Sequence, residues 1–319
     1  MTSRPDAVPP LPDPHQELGG GEEFLDKPTS VWRIAMKRFF RRKIGVAGLI
    51  LVSFMVLVAI FAPLIAPYPY DLNFIGEPGA ERWGTPCVTA LGCETTQHLM
   101  GLDGNVRDVF SRVVYGARVS LPLGFSTVLV AIIVGTVIGA IAGFMGGAAD
   151  NILMRIMDVV LGFPSLILAI AIVFVLGPGI RNTLLAIAIV TIPQYARVMR
   201  ASVLSIREID YVAASQALGA SQLRILTTRI VPNALTPLVV LGTLGIAGAI
   251  LEAAALGFLG LGAQPPLPEW GAMLAQERAR VFTAPHLMIF PGLAIIITVL
   301  GFNLLGDGLR DALDPSLNE

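Results

Sequence analysis

Residues 211–233 read YVAASQALGASQLRILTTRIVPN, a polar, helix-forming segment that lies between long hydrophobic runs. Asp210 is a suitable N-cap for a first short helix. Gly219 is expected to end that helix, because glycine adopts the left-handed C-cap conformation without a Cβ penalty. Ser221 is a suitable N-cap for a second short helix, which Pro232 is expected to end.

The second predicted helix combines apolar and basic side chains. Leu223, Leu226 and Ile230 are expected on one face, with Arg224 and Arg229 among them. Two short, basic helices joined at a glycine are typical of a surface element that fits into a groove of a partner protein. The alternative is an ordinary helical loop between membrane spans.

The composition indicates a polytopic membrane protein. Of 319 residues, 54% are hydrophobic and only 14% are charged, and the mean hydropathy is +0.73, whereas about a quarter of the residues in soluble domains are charged. A net charge of −1 gives no indication of nucleic-acid binding.

No motif for catalysis, metal binding or nucleotide binding is present in the sequence. The three histidines, His15, His98 and His286, lack zinc-ligand spacing. No Gly-Lys dipeptide occurs, so the chain has no P-loop and is not expected to be an ATPase. We therefore predict no catalytic, cofactor-binding or metal-binding residue.

The N-terminal third is predicted to contain a tail, a surface helix and one membrane span. Residues 1–30 are rich in Pro, Gly and acidic residues and are expected to be a disordered tail rather than a signal peptide. Residues 31–45 are basic and aromatic, which predicts an amphipathic helix at the lipid interface or a charged flank of the first span, residues 46–66. The preceding cations place the N-terminus in the cytoplasm by the positive-inside rule: Lys37, Arg38, Arg41, Arg42 and Lys43.

Residues 67–118 are polar and are predicted to be an extracytoplasmic insertion between the first and second spans. They contain the only two cysteines, Cys87 and Cys93, which can close a small disulfide loop or remain free thiols. Arg107 and Asp108 are expected to form a structural ion pair or to clasp the loop, rather than to form a substrate site.

Residues 119–319 are predicted to be the core of an all-α protein with six transmembrane helices. Spans two to six are expected at residues 119–144, 165–176, 182–195, 234–259 and 287–305. Arg197, Arg200 and Arg207 follow the fourth span, so residues 207–233 and the C-terminus are expected in the cytoplasm. Glycines recur every four residues in the second span, which predicts a close helix-packing face: Gly135, Gly139, Gly143 and Gly147.

Two further residues stand out in the second half of the chain. Glu252 is an ionisable residue within the fifth span and either lines a translocation path or makes a structural hydrogen bond near the outer end. Trp270 follows a proline-rich hairpin and is expected at the membrane interface.

The segment quoted first resembles the cytoplasmic coupling loop of ABC importer permeases. The family pattern is Glu-Ala-Ala, three residues, Gly, and a spacer that ends in Leu-Pro. It corresponds here to Ala213-Ala214-Ser215, Gly219 and Val231-Pro232, with Ala213 in place of the family Glu and Ser215 in place of the second Ala. The resemblance implies an ATPase-coupling loop that contains Ala213, Ala214, Ser215, Gly219, Ala220, Ser221, Arg224, Arg229 and Pro232.

Nearly all of the chain from about residue 30 is similar to the C-type permease subunit of dipeptide, oligopeptide and nickel ABC importers, most clearly over residues 107–118, 258–270 and 301–315. The resemblance implies a type I importer permease fold in the cytoplasmic (inner) membrane of a bacterium or archaeon. The implied partners are a homologous permease in a heterodimer, two ATPase subunits that bind ATP and Mg²⁺, and an extracytoplasmic solute-binding protein. This chain itself is expected to bind no cofactor.

The resemblance favours di- or oligopeptides as substrates, on their frequency in the family. The alternatives are an ABC permease for another solute, such as nickel chelates or glutathione, and an ion-coupled secondary transporter. A secondary transporter needs ion-binding carboxylates within its spans, and Glu252 is the only obvious one.

Overall fold

A computed structural model describes residues 31–88, 92–93 and 98–313. Within these ranges the chain is helical and has no β-strand, only two isolated β-bridges. The predicted tail, residues 1–30, and the end of the 301–315 match lie outside the described residues. The α-helices are α1 (Val31–Arg41), α2 (Lys43–Ile60), α3 (Ala62–Ile65), α4 (Val109–Met145), α5 (Gly147–Leu161), α6 (Ser165–Leu176), α7 (Ile180–Arg207), α8 (Asp210–Ala217), α9 (Gln222–Ile225), α10 (Val231–Phe258), α11 (Trp270–Glu277) and α12 (His286–Leu313).

Five helical segments in the described part of the chain are long and apolar enough to cross a membrane, and α5 with α6 forms a bent pair that can supply a sixth crossing. The predicted third span, residues 165–176, is α6 alone. At 12 residues it is about 18 Å long, which is too short for a hydrocarbon core of about 30 Å. The two helices meet at 91°, because Pro164 and the preceding Gly162 interrupt the helix between them.

The spans predicted at residues 119–144, 182–195 and 287–305 all lie in longer helices, the last of them in α12, His286–Leu313. Helix α4 begins at Val109 rather than at 119, because the Asp108 carboxylate accepts a hydrogen bond from the Ser111 N–H and caps the helix. Helix α7 continues to Arg207 rather than ending at 195. Two of the cations that suggested the end of a span pair with aspartates of α5, Arg197 with Asp158 and Arg200 with Asp150. These ion pairs accommodate the charged residues within a continuous helix.

Helix α4 packs against α7 through its glycines. A Cβ at Gly135, Gly139 or Gly143 would meet backbone or Cβ atoms of α7 within about 3 Å, so the two backbones are in direct contact. The predicted packing face therefore contains three of the four glycines. Gly147 lies beyond α4, at the start of α5, with open space around it.

A second close contact joins α2 and α12. Gly45 of α2 lies against the backbone of Gly308 on α12, and Gly48 lies against the backbone of Leu305. Dispersion contacts of this kind are the main attraction between helices in lipid, where no hydrophobic driving force operates. The α2–α12 and α4–α7 pairs, both joined to α10, form the frame of the protein.

The insertion is held against α4 and α11 by buried polar contacts. Glu277 of α11 accepts hydrogen bonds from Trp83 Nε1 (3.0 Å) and from the Gly104 N–H (2.9 Å). Arg107 pairs with Asp103 (2.8 Å), not with Asp108 as predicted. Asp108 is instead occupied by the α4 cap and by His98 Nδ1, at 3.0 Å.

Trp270 is fully buried, in contrast to the predicted interfacial position. Its Nε1 donates to the Val113 carbonyl oxygen (3.0 Å), and its indole ring fits beside Gly116, where a Cβ would lie 2.6 Å from the ring. The adjacent Glu269 is also buried and caps α11 by accepting from the N–H groups of Gly271 and Ala272. Burial raises the pKa of the Glu269 carboxyl, while these donors and Ser120 oppose the shift.

The sulfur atoms of Cys87 and Cys93 are bonded to each other in the structure. The bond closes a loop within the insertion. Residues 89–91 of that loop lie outside the described residues.

The α4–α7 contact can be tested with an added methyl group. A Cβ at Gly139 would collide with the Ala196 carbonyl oxygen, so Gly139→Ala is expected to lower the free energy of unfolding by about 1–3 kcal/mol, the usual cost of overpacking. The control is Gly248→Ala on α10, where nothing lies within 4 Å of the added atom. Thermal unfolding in detergent, followed by tryptophan fluorescence, gives the unfolding midpoint of each variant. Equal midpoints for the two variants would contradict the described packing.

Candidate functional site

The α8–α9 segment, residues 207–233, connects α7 to α10. Helix α8 covers Asp210–Ala217, and α9 is a single turn, Gln222–Ile225. The predicted side-chain caps are not formed. Ile209 occupies the N-cap position of α8, with Asp210 as its first residue, and Ser221 caps α9 without a side-chain hydrogen bond.

Gly219 makes the turn between the two helices. Its φ is +81°, its N–H donates to the Gln216 carbonyl (2.9 Å), and the Ala220 N–H donates to the Ser215 carbonyl (3.1 Å). This is a Schellman motif, which requires a left-handed residue at that position. No atom lies within 4 Å of a Cβ built at Gly219, so backbone conformation alone demands the glycine.

The inner face of the segment is fixed in the core. Val212, Ile225 and Ile230 are at most 1% exposed, and they pack with residues of α4, α7 and α10. The predicted face that included Leu223 is wrong, since Leu223 is 71% exposed. A π-helical turn, Leu226–Ile230, follows α9 and brings residues five apart onto one face. Ile225 and Ile230 therefore share the buried side.

Pro232 does not end the element, contrary to the prediction. It directly follows the π-helical turn, within the first turn of α10, and the helix continues past it to Phe258. Helix α9, the π-helical turn and α10 form one helical run, Gln222–Phe258. The segment is thus a direct extension of a membrane-spanning helix.

Further hydrogen bonds hold the segment to its neighbours. Arg207 donates to the Gly143 (3.2 Å) and Phe144 (3.4 Å) carbonyl oxygens at the end of α4. Asn233 Nδ2 (2.6 Å) and the Tyr211 hydroxyl (3.3 Å) both donate to the Arg229 carbonyl oxygen, which joins α8 to the start of α10. These contacts join α7 to the end of α4 and α8 to the start of α10.

The outer face of the segment combines apolar and basic side chains. Leu218 and Leu223 are 88% and 71% exposed. Arg224 and Arg229 are exposed and form no ion pair within the part of the chain that the structure describes, whereas Arg207 pairs with Glu208. Exposed apolar side chains beside uncompensated cations are typical of a protein-binding surface.

The remaining predicted positions of the segment are small. Ala213 and Ala214 are exposed on α8, so the position that carries Glu in the related pattern faces outward. Ser215 donates to the Tyr211 carbonyl oxygen (2.8 Å), which occupies its hydroxyl within the helix. Ala220 is half-buried and Ser221 is exposed. Together these residues leave a smooth surface between Leu218 and Arg224.

Glu252 is not part of this segment and lies in the C-terminal half of α10, near its end at Phe258. The Ser165 hydroxyl at the start of α6 forms a hydrogen bond with its carboxylate, while Oε2 is buried without a partner among the described residues. Its role, as a structural hydrogen bond or in a translocation path, stays a prediction. Sequence reasoning missed Glu269, the more deeply buried acid, although its position before Trp270-Gly-Ala is compatible with an N-cap.

Family models match both parts of the chain. Residues 135–319 match the binding-protein-dependent transport system inner membrane component. Residues 30–78 match the N-terminal transmembrane domain of oligopeptide transport permease C. The first match covers the α8–α9 segment, and the second covers α1 and α2.

Similar proteins are found along nearly the whole chain. The dipeptide transport system permease protein DppC of Alkalihalophilus pseudofirmus is 44% identical over 99% of this chain and 96% of its own. The di/tripeptide permease DppC of Pseudomonas aeruginosa is 45% identical over 91% and 95% of the two chains. The glutathione transport system permease protein GsiD of Pectobacterium atrosepticum is 42% identical over 90% and 91%.

Among solved structures, an inward-facing form of the MetNI methionine ABC transporter contains a chain with a similar fold. The TM-score is 0.52 at 20% sequence identity, over 65% of this chain and 96% of the other. That comparison supports the fold, and the sequence matches carry the family. The predicted family is confirmed: the chain belongs to the permease subunits of binding-protein-dependent ABC importers, in the group of the oligopeptide-type C permeases.

Proposed function

We propose that this permease forms one half of the pathway of an ATP-driven importer of short peptides, and that the α8–α9 segment is the surface on which an ATPase subunit docks. The observation that carries the docking proposal is the contrast between the two faces of the segment. Its inner face is buried in the helix bundle, and its outer face presents Leu218, Leu223, Arg224 and Arg229.

The mechanical argument rests on the continuity of α9 with α10. A push on an isolated loop would be absorbed by bending, but a push on the α8–α9 segment moves α7 and α10 because hydrogen bonds and core packing join them. Nucleotide-driven closure of the ATPase subunits can then shift the balance between inward- and outward-facing states. The ATPase subunits shift this balance only as far as they bind the inward- and outward-facing states with different affinities.

The proposed assembly contains a homologous permease in a heterodimer, two ATPase subunits and an extracytoplasmic solute-binding protein. ATP and Mg²⁺ would be bound by the ATPase subunits, and this chain would bind no cofactor. Both termini would lie in the cytoplasm. The positive-inside rule assigns the cations around α1 and at the end of α7 to the cytoplasmic side, and the α8–α9 segment would lie on that side too. Family membership removes the ion-coupled secondary transporter from the alternatives.

Short peptides are proposed as substrates because relatives of similar identity are named for dipeptides, di/tripeptides and glutathione. Glutathione is itself a modified tripeptide, so these names share one chemistry: a small zwitterionic peptide. A permease for nickel chelates remains the alternative within the same family.

Co-purification and uptake test the proposal directly. The tagged chain, extracted from its own membranes in mild detergent, is expected to carry a second permease and an ATP-binding subunit, identified by mass spectrometry. The recovered complex in proteoliposomes, with its binding protein, is expected to accumulate a radiolabelled dipeptide only when ATP is supplied on the ATPase side. Accumulation of a nickel chelate but of no di- or tripeptide would contradict the proposed substrate class.

Gly219 offers a conformational test of docking. Gly219→Val places a β-branched residue at φ +81°, a strain of the order of 1–3 kcal/mol, so ATPase recovery and transport are expected to fall about tenfold or more. The control is Gly76→Val in the insertion, where φ is +90° and the surroundings are equally open. Equal ATPase recovery with the Gly219 and Gly76 variants would contradict a role of Gly219 in docking.

The exposed arginines offer an electrostatic test. The double variant Arg224→Glu/Arg229→Glu is expected to weaken ATPase binding about tenfold at low salt, because each surface charge pair contributes up to about 1 kcal/mol. Added salt should narrow the difference from the parent protein. The control Arg155→Glu/Arg310→Glu changes the same charge at exposed positions outside the segment. If both doubles bind equally well at low salt, the cations of α9 and the π-helical turn have no part in docking.

A further inference from the structure

A groove on the outside of the helix bundle is formed where α1 crosses α2 and α12. It has a volume of about 270 Å³ and is lined only by apolar side chains. Met36 and Phe40 of α1 form one wall, and Leu49 of α2 with Leu305 and Leu309 of α12 form the other. The groove lies where the N-terminal part of α2 meets the C-terminal part of α12, two helices long and apolar enough to cross a membrane.

The groove is a built feature, because Phe39 fixes α1 against the frame. The Phe39 side chain is only 7% exposed. Its ring lies 2.8 Å from a Cβ built at Gly45 and 3.2 Å from one built at Gly308. The ring thus packs directly on the two glycines, at the point where the backbones of α2 and α12 touch, and so α1 lies close to the α2–α12 pair.

Cations border this groove. Lys37 and Arg41 are four residues apart on α1 and therefore lie on the same side, each next to a groove residue, Met36 or Phe40. Arg42 and Lys43 follow at the start of α2. All four are exposed and form no ion pair with a described residue.

Two further features favour an anion beside these cations. Arg42 is the N-cap of α2 and provides no side-chain cap, so the first N–H groups of this 18-residue helix have no side-chain acceptor at the cap. Residues 31–70 contain no acidic residue. Asp307 and Asp311 of α12 are each two residues from a groove residue, Leu305 or Leu309, and so lie on the opposite side of that helix.

We propose that this groove binds one anionic phospholipid, with an acyl chain along Met36, Phe40 and Leu309 and the phosphate beside Lys37, Arg41 and Arg42. The apolar groove accounts for the tail and the uncompensated cations account for the headgroup charge. The site is distinct from the α8–α9 segment and needs neither ATPase nor peptide. Its occupant would hold α1 to the bundle and make the lipid part of the frame.

Native mass spectrometry of the purified full-length chain tests the headgroup. Phosphatidylglycerol is expected to bind about tenfold more tightly than phosphatidylcholine with the same acyl chains. Arg41→Gln/Arg42→Gln should remove that preference, because each juxtamembrane cation contributes severalfold to anionic lipid binding. The control Arg278→Gln/Arg280→Gln removes the same charge at exposed positions beyond α11 and should retain the preference. Equal binding of the two lipids to the parent protein would overturn the proposal.

A second pair of variants tests the acyl chain. Leu309→Trp fills the groove and is expected to lower binding of both lipids about tenfold, whereas Leu309→Met preserves the volume and should bind like the parent. A phospholipid with a photoreactive acyl chain is expected to label peptides that contain Met36 or Leu309. Displacement of the lipid by inorganic phosphate would indicate a simple anion site and overturn the proposal. Binding that appears only after residues 1–30 are deleted would also overturn it, since the chain's own N-terminus would then occupy the groove.

Discussion

Helix α9 continues without interruption into α10, and this continuity fixes the orientation of the α8–α9 segment against the helix bundle. The π-helical turn at Leu226–Ile230 keeps the backbone helical from a surface turn into a membrane-spanning helix. It also rotates Ile225 and Ile230 onto the buried side. A regular α-helix cannot place residues five apart on one face so well. The outward position of Leu223 and Arg224 follows from the same turn.

Backbone contacts at glycines hold together the helices that the α8–α9 segment packs against. In lipid, apolar side chains gain little by leaving the solvent, so helices associate where small residues let their backbones approach. The α4–α7 contact at Gly139 and the α2–α12 contact at Gly48 are of this kind. The Phe39 ring of α1 also packs against glycines, Gly45 and Gly308, and so attaches α1 to the bundle.

Outside the membrane-spanning region, buried polar groups replace these contacts. The Asp103–Arg107 pair, the Glu277 hydrogen bonds and the Glu269 cap join the insertion, α4 and α11. Each group is buried with a partner, because an unpaired buried charge would cost far more than the pair contributes. This end of the protein is thus positioned by hydrogen-bond geometry, and the membrane-spanning part by shape.

The class of protein, the approximate positions of the spans and the turn at Gly219 could be predicted from composition, from hydrophobic length and from a backbone conformation that glycine alone adopts readily, all of which are local properties. The family followed from the resemblance of residues 211–233, 258–270 and 301–315 to known permeases. Tertiary structure decided which residues of the α8–α9 segment face outward, because the π-helical turn responds to packing against α4 and α7. It also decided that Trp270 is buried beside Gly116 and that the cations of α7 pair with α5. These outcomes depend on partners distant in the chain, and no local pattern reveals which partner a side chain meets.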